Sequence, residues 1–523
     1  MATGIIASAA RAARRHVGPS RRTPPRGGGA GPGLAAAGAV VGVIGFTIIW
    51  RIWRSTPKRH ERKAKKIAAA ADNPARPHCT DVLIIGGGII GTAVACFLSK
   101  VGLCDVTLLE SGTLGCEASG LSAGTIWNAG TPSTVRAEDA SLWLRARSAT
   151  LLEELGGCEF NRCGALDVAA TPAEAALLRA DFEQQRGQGL VVEWLRNQSE
   201  IAALEPALAG GSALCATHTP LSGSVQPALA TQRFAAVAAA NGCTIIEGAD
   251  VVALEKRGLA IQATTADGRV FNAHHVVLAA GARAAPLAAA LGVRLPVVPV
   301  KGVVCTSFAH RAEPGALRKV IYDMASRLHF SEQGTGRDDT SGVPAKCTHD
   351  ATGTRRCRKL YGKQCGPSDN HMILFGGDRL PGAAASDYAV PAASRASICA
   401  NVREMLPALR GFEEAATAQE AELAGEWAGL MPFSADGRPL VGSLKHLGLA
   451  SCWLAVGFGP AGVMEGPYAA KLLANQIAEA FAIERYPATW SESRRATAFG
   501  RDEADLIILR SLSPSVKGEQ ARV

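Results

Sequence analysis

The stretch that decides the fold begins at Asp81 and reads Asp-Val-Leu-Ile-Ile-Gly-Gly-Gly-Ile-Ile-Gly. Its apolar run, Val82–Ile85, predicts a strand that is buried on both faces of a parallel sheet. The glycines that follow form a G-x-G-x-x-G turn. In such a turn Gly86 permits the tight bend, Gly88 lets a pyrophosphate approach the backbone, and Gly91 lets the next helix lie close to the strand.

The residues after the turn complete a nucleotide-binding unit. A helix is predicted from about Ile90 to Lys100, with Gly102 as its C-cap, and a second strand over Val106–Leu109. The free amides of the first helical turn face phosphates in such a unit. Glu110 stands at the end of the second strand, about twenty residues past the glycines, where a carboxylate binds ribose hydroxyls. The sequence therefore predicts a dinucleotide site, whereas the glycines alone would also suit an ordinary glycine-rich turn.

A second stretch of small residues, Gly115–Gly124, reads Gly-Cys-Glu-Ala-Ser-Gly-Leu-Ser-Ala-Gly and would allow another close approach to a cofactor. Together with the glycine turn it resembles the D-amino-acid oxidase class of FAD-dependent oxidoreductases, which includes glycine and sarcosine oxidases. Further motifs occur in the order of that family at Gly223–Pro227, Gly242–Val251, Val276–Ala282, Leu295–Gly302, Leu374–Gly377, Asp436–Gly442 and Gly457–Val463.

The resemblance implies an α/β fold with a Rossmann-like FAD-binding domain and an interleaved α+β substrate domain on a mixed sheet. We expect residues 80–482 to form this oxidoreductase. Its FAD-binding parts are predicted at about 80–165, 220–295 and 425–482, and its substrate-domain parts at about 166–219 and 296–424, with an insertion at 333–370.

The resemblance also implies FAD as the cofactor, held noncovalently. Asn128 stands where sarcosine and dimethylglycine dehydrogenases have a flavin-attaching His, and Gly429 where the oxidases have a flavin-attaching Cys. No metal site is expected. The expected cofactor-binding residues are Gly86, Gly88, Ile89, Ile90, Gly91, Glu110, Ser111, Ser119, Ser122, Ala123, Gly124, Val251, Ala280, Gly281, Gly457, Gly459, Ala461, Gly462 and Val463.

The substrate anchor departs from the family pattern. Glycine oxidases read Trp-Ala-Gly-Leu-Arg-Pro, with an Arg for the substrate carboxylate, but this chain has Met431 at that position, and a second family Arg falls near Pro460. Arg327 and Arg379, near substrate-domain strands, are candidate substitutes because a guanidinium binds a carboxylate through two parallel hydrogen bonds. Residues 372–377 also lack the oxygen-activating Lys of monomeric sarcosine oxidases.

The expected chemistry is hydride transfer from an amine-bearing carbon to flavin N5, followed by hydrolysis of the imine. No catalytic side chain is assigned, because the family needs no dedicated base; His274, His275, His310 and His329 are expected to be surface or structural residues. The electron acceptor is left open between O2, a quinone and an electron-transfer flavoprotein. Two alternatives remain: a catalytically weak flavin-fold assembly factor of a respiratory complex, and a 2-hydroxy acid dehydrogenase.

The positive charge is concentrated at one end of the 523-residue chain. Residues 1–66 carry 14 Lys and Arg and one acid, Glu61, so the remainder is mildly acidic and no nucleic-acid partner is indicated. Residues 1–32 resemble an organelle presequence, 33–53 contain an uncharged run long enough for a single transmembrane helix, and 54–79 form a basic linker. We therefore expect a mitochondrial, membrane-anchored protein.

The 14 cysteines are scattered without a C-x-x-C pair, which argues against a disulfide scaffold and against a disulfide reductase. Cys347, His349, Cys357 and Cys365 cluster in the predicted insertion, but their spacing matches no standard zinc pattern. We interpret this region as a flexible insertion, with a zinc site as the alternative. Residues 483–523 are expected to form a tail.

Overall fold

The predicted turn at Gly86 joins the first strand to the first helix in the structure, which is a computed structural model. The structure describes residues 77–102, 104–127, 130–131, 135, 139–307, 315–323, 348–349, 355–356, 360–369, 372–381, 384, 387–409, 423–435 and 437–485.

The described residues form twenty strands and eight α-helices. The strands are β1 His78–Ile85, β2 Val106–Leu109, β3 Thr125–Ile126, β4 Ala165–Ala169, β5 Glu193–Leu195, β6 Cys215–Thr219, β7 Gly223–Ser224, β8 Thr244–Ile246, β9 Val251–Arg257, β10 Ala260–Thr265, β11 Val270–Leu278, β12 Val297–Ser307, β13 Val320–Asp323, β14 Thr348–His349, β15 Arg355–Arg356, β16 Tyr361–Gln364, β17 Ile373–Pro381, β18 Leu423–Ser434, β19 Leu440–Leu444 and β20 Leu449–Val456. The helices are α1 Ile89–Val101, α2 Ala140–Leu155, α3 Pro172–Gly187, α4 Gln198–Leu204, α5 Pro227–Ala240, α6 Ala284–Ala289, α7 Ala392–Met405 and α8 Gly462–Arg485.

The first sheet is built around β1 and has the order β19-β20-β11-β1-β2-β8, with β10 and β9 added beside β11. β1 pairs in parallel with both β11 and β2. Along β1, Val82 and Ile84 join one hydrophobic core with α1, α5 and α8, while Leu83 and Ile85 join a second core on the other face. Burial on both faces agrees with the continuous apolar run in the sequence. α1 ends at Gly102, whose φ of +68° matches the predicted C-cap.

The second sheet has the order β18-β12-β17-β16-β13-β4-β6-β5. β13 and β4 are parallel, whereas the other pairs are antiparallel, so the sheet is mixed. Its core contains residues of β12, β13 and β17 and the buried face of α7. The chain passes repeatedly between the two sheets, which agrees with the expected interleaved α/β architecture.

Two predicted boundaries differ from the structure. β18, which was predicted to belong to the FAD-binding part at 425–482, lies in the second sheet because it pairs with β12 from Val297 to Ser307. β16 lies within the predicted insertion 333–370, yet it is an internal strand that pairs with β13 and β17. Local composition did not reveal β16, since strand pairing is a long-range property of the sheet.

The predicted presequence at 1–32, the membrane helix at 33–53, residues 54–76 of the predicted linker and residues 486–523 of the predicted tail lie outside the described residues. Residues 78–79 of the linker belong to β1, and residues 483–485 of the tail belong to α8. Within the part of the chain that the structure describes, no helix is both long and apolar enough to cross a membrane.

Candidate cofactor and substrate site

The glycine turn after β1 is sterically closed to any side chain. Gly86 has a φ of +113°, and a Cβ added to it would lie 2.4 Å from the carbonyl oxygen of Ala279. A Cβ on Gly91 would lie 1.9 Å from the carbonyl oxygen of Gly86. The turn, the neighbouring strand end and α1 are therefore in backbone contact, which explains the glycine spacing in the sequence.

The first turn of α1 opens onto this loop. Gly88 is the N-cap residue and provides no side-chain hydrogen bond to the helix. The Ile89 amide donates to Ser119 Oγ at 2.9 Å, which ties the second small-residue stretch to the helix start. Because the amino-terminal end of a helix carries partial positive charge, this place suits a phosphate.

Glu110 connects the loop to the end of β2. Its Oε2 accepts from the Gly87 amide at 2.7 Å, and its Oε1 accepts from the Gly112 amide at 2.8 Å and from Ser111 Oγ at 3.0 Å. Cys116 Sγ also lies 3.8 Å from Oε1. Each carboxylate oxygen offers about two acceptor positions, so Oε2, which accepts from the Gly87 amide, has about one left for a ligand hydroxyl. The side chain is buried but lines the cavity, as expected for a ribose-binding acid.

A single cavity of about 1160 Å³ joins these features. It exceeds the roughly 300–1,000 Å³ typical of small-molecule sites, which suits a large cofactor together with a substrate. The predicted cofactor-binding residues that line it are Gly86, Gly88, Ile89, Ile90, Glu110, Ser111, Ser119, Ser122, Ala123, Val251, Ala280, Gly281, Gly457, Gly459, Ala461, Gly462 and Val463.

The two other predicted cofactor-binding residues, Gly91 and Gly124, do not line the cavity. Gly91 instead provides the close contact between α1 and the turn. Gly124 has a φ of +68°, and a Cβ there would lie 2.2 Å from the carbonyl oxygen of Val225. Both glycines therefore shape the backbone around the cavity and do not form its surface.

The carboxy-terminal motif forms another wall of the cavity. Gly457 and Gly459 have positive φ angles of +78° and +51°, and α8 begins at Gly462 beside them. The positive end of α8 can stabilise negative charge on a ring that is being reduced. Asp436, at the start of the preceding motif, lies outside the described residues. The glycine cradle, the helix starts and Glu110 together fit an FAD molecule.

Three aromatic side chains that no sequence motif indicated line the same cavity. The ring of Trp127 lies 5.5 Å from that of Tyr322, and the ring of Tyr322 lies 6.1 Å from that of Tyr361. The Tyr322 hydroxyl contacts Thr125 Oγ1. Burial raises the pKa of Tyr322, so this hydroxyl stays protonated at neutral pH. Isolated tyrosines in strands give no local signal of their role.

Arg379 is the predicted anchor candidate that reaches the cavity. It lies on β17 opposite Gly302 of β12, and it is 9% exposed. Burial lowers its pKa to about 9, while the nearby Tyr361 and Tyr322 raise it, so the guanidinium is still protonated at neutral pH. Arg327, the other candidate, lies outside the described residues.

The position of the missing family Arg also lies at the cavity wall. Met431 lines the cavity, and its methyl carbon lies 2.9 Å from where a Cβ on Gly302 would be. Met431 therefore fills the space above β12 next to Gly302. Pro460 and Gly429, where other family groups were expected, line the same cavity.

The histidines and cysteines singled out in the sequence lie elsewhere or are not described. His274 is exposed, and His275 is buried with its Nδ1 3.2 Å from Trp453 Nε1, so both fit the expected surface or structural roles. Among the residues that the structure describes, no group of three or more His, Cys, Asp or Glu side chains could hold a metal ion. The predicted positions that lie outside the described ranges are Asn128, His310, His329, Cys347 and Cys357.

Comparison with known proteins gives a consistent result. The sequence profile of the family described as FAD dependent oxidoreductase matches residues 81–476. The chain is 27% identical over 408 residues to glycine oxidase of Geobacillus kaustophilus, covering 76% of this chain and 93% of the relative. The crystal structure of glycine oxidase from that organism has a TM-score of 0.61 at 26% identity, covering 77% of this chain and 95% of that one.

A second relative aligns over a shorter region. The 4-methylaminobutanoate oxidase (formaldehyde-forming) of Paenarthrobacter nicotinovorans is 31% identical over 237 residues, which is 45% of this chain and 28% of the relative.

Proposed function

Because the chain belongs to the family of FAD dependent oxidoreductases, we propose that it oxidises the carbon–nitrogen bond of an amine or amino acid. The observation that carries this proposal is the buried, cationic Arg379 in the cavity that the glycine turn of β1 also lines. One cavity thus provides both a nucleotide cradle and a place for a small polar substrate.

The residues proposed to hold FAD are those of the turn, Glu110, the stretch around Ser119 and the start of α8. When bound, FAD supplies a two-electron acceptor for a hydride from the substrate carbon. Loss of that hydride turns the carbon–nitrogen bond into a double bond. Water then adds to the imine, and the bond breaks to give a carbonyl compound and an amine. O2, a quinone or an electron-transfer flavoprotein would take the electrons afterwards.

Arg379 is proposed to bind a substrate carboxylate and to orient the reacting carbon. Its planar fork gives two charge-assisted hydrogen bonds, and the surrounding Tyr322 and Tyr361 exclude water around them. The same aromatic rings offer an apolar surface to the alkyl part of the substrate. The neutral amine assists departure of the hydride, so this arrangement needs no side-chain base.

Anaerobic mixing of the purified, FAD-loaded protein with a panel of amines and amino acids tests the proposal. We expect at least one compound to bleach the oxidised flavin absorbance. Arg379→Gln should weaken binding of an amino acid by about 100-fold, because two hydrogen bonds to a charged group are lost. Arg379→Lys keeps the charge without the fork and should have an intermediate effect.

The same panel discriminates the alternatives. Bleaching by 2-hydroxy acids and not by amines would indicate a hydroxy acid dehydrogenase and contradict the proposal. No bleaching by any compound would favour an assembly role without turnover. Absence of flavin absorbance even after addition of FAD would contradict the cofactor assignment itself.

We also infer that residues 1–32 direct the protein to mitochondria and that 33–53 anchor it in a membrane. The support is the acid-free, Arg-rich start of the chain and the uncharged run that follows it. Fractionation of cells that express the full chain tests this inference, with a chain starting at Pro77 as the control. Recovery of the full chain in the soluble fraction after carbonate extraction would contradict the anchor.

A further inference from the structure

A second arginine lines the cavity and has no role in the function proposed above. Arg145, on α2, is 14% exposed at its side chain. Its guanidinium carbon lies 5.3 Å from the ring centre of Trp127. Its Nε donates to Glu465 Oε1 at 2.9 Å. Among the described residues, no hydrogen bond involves Nη1 or Nη2 of this guanidinium. These two nitrogens can donate two parallel hydrogen bonds to a carboxylate.

Glu465 holds Arg145 in place. The carboxylate lies in the first turn of α8 and also accepts from Ser141 Oγ at 2.6 Å. Glu465, itself held by Ser141, thereby fixes the Nε edge of the guanidinium. An anchored cation loses less side-chain entropy on binding a ligand than a free one does, so the pair is preorganised for an anion.

The two arginines lie near different members of the aromatic row formed by Trp127, Tyr322 and Tyr361: Arg145 is next to Trp127, and Arg379 is near Tyr361 and Tyr322. Arg379 is on β17, and the Tyr361 hydroxyl packs against Gly376 of that same strand. The row thus has one guanidinium near Trp127 and another near the two tyrosines.

Two acids lie near the row and partly offset its charge. Glu465 is engaged by Arg145 and Ser141. Asp167 is buried, accepts from Trp127 Nε1 at 3.1 Å through both oxygens, and does not line the cavity. Glu465 also lines the cavity, so the Arg145 end presents an ion pair whose outer guanidinium nitrogens can still donate hydrogen bonds, while the Arg379 end is cationic.

We propose that the substrate is an amine that carries two carboxylates, one at each side of its nitrogen. Arg379 binds the carboxylate next to the oxidised carbon, and Arg145 binds the distal one. The amine and its alkyl carbons lie along the aromatic row, where the ring faces attract a nitrogen that arrives protonated. The nitrogen gives its proton to solvent before the neutral amine is oxidised. This inference rests on the proposed function, because it names the substrate class of the same cavity.

The test compares diacids with their matched half-amides on the FAD-loaded full chain. Iminodiacetate, N-carboxymethyl-4-aminobutanoate and the half-amide of each at the distal carboxylate are mixed anaerobically, and the concentration dependence of the flavin bleaching rate gives a Kd for each. Amine-free dicarboxylates from succinate to adipate are titrated separately, and the shift of the flavin spectrum gives their Kd without any turnover.

We expect at least one diacid to bind about 10–100-fold more tightly than its half-amide, the range that a hydrogen-bonded charge gives. Arg145→Gln should remove that difference. Arg145→Gln alone leaves the buried Glu465 carboxylate without its cationic partner, which can destabilise the fold. The double variant Arg145→Gln with Glu465→Gln removes both charges and is measured beside it. Arg179→Gln is the matched control, since Arg179 is exposed on α3 and pairs with Glu183.

Each outcome separates the two proposals. If simple amines bleach the flavin but diacids bind no better than half-amides, the inference is wrong and the proposed function stands. If Arg145→Gln weakens the binding of diacid and half-amide equally, Arg145 does not bind the distal carboxylate, and the inference is again wrong. If dicarboxylates shift the spectrum through Arg145 but no amine bleaches the flavin, the proposed function fails while the second anchor is supported.

Discussion

Gly86→Ala should damage both the folding of the first sheet and the binding of FAD. Two costs combine at this position. The φ of +113° is unfavourable for an L-residue, at about 1–2 kcal/mol. The new Cβ would also lie 2.4 Å from the Ala279 oxygen. Ordinary carbon contacts begin near 3.4 Å, so the turn and β11 would have to separate by about 1 Å, at about 1–3 kcal/mol.

Gly102→Ala is the matched control, because Gly102 has a φ of +68° and no atom within 4 Å of the added Cβ. It should lower the free energy of unfolding by only about 1–2 kcal/mol, from the backbone alone. Urea unfolding and titration of the apoprotein with FAD measure both variants. We expect Gly86→Ala to be the less stable and to bind FAD at least roughly tenfold more weakly, which corresponds to about 1.4 kcal/mol of the combined cost. Equal stability and equal FAD affinity of the two variants would refute the steric argument.

Three further predictions concern other parts of the cavity and its surroundings. Glu110→Gln should weaken FAD binding by about 10–100-fold in the same titration, because an amide would replace a carboxylate that accepts from two backbone amides and that we expect to bind the ribose. The buried Lys301 ammonium holds the pKa of Asp387 below its usual 3.8. The stabilisation by this ion pair is therefore present above pH 3.8 and is lost as the pH falls through the depressed pKa. Asp387→Asn should accordingly lower the thermal midpoint at pH 7, and its difference from the wild type should shrink below pH 3.8. Met431→Arg combined with Arg379→Leu should move the anchor to the glycine-oxidase position and favour short amino acids such as glycine in the bleaching assay; an unchanged order of substrates would contradict this.

The signals for the nucleotide half of the site are local in the sequence, and the structure brings most of these residues to one cavity. Gly86, Gly91 and Glu110 act within one strand, turn, helix and strand, and the glycine spacing alone reports how closely α1 must approach the turn. The substrate half was predicted poorly. Tyr361 lies in β16, at the end of a segment whose glycine and charge content suggested an insertion. The pairing of β16 with β13 and β17 depends on distant parts of the chain, so no local pattern indicates it.

The chain has no Arg at position 431 on β18, but it has Arg379 on β17. We therefore interpret the difference as a move of the anchor from one strand to another. β12 lies between β18 and β17, so Met431 and Arg379 stand roughly 12 Å apart, across two strand spacings and two residues along the strand. Gly302 has no side chain between them, and Met431 occupies that space. A guanidinium at 431 would share the wall beside Gly302 with the one at 379, and like charges repel more in a buried wall than in water. An arginine beside β12 can therefore stand on β18 or on β17. This chain carries it on β17, nearer to the aromatic row. A cation in that place selects for substrates that extend along the row toward Arg145.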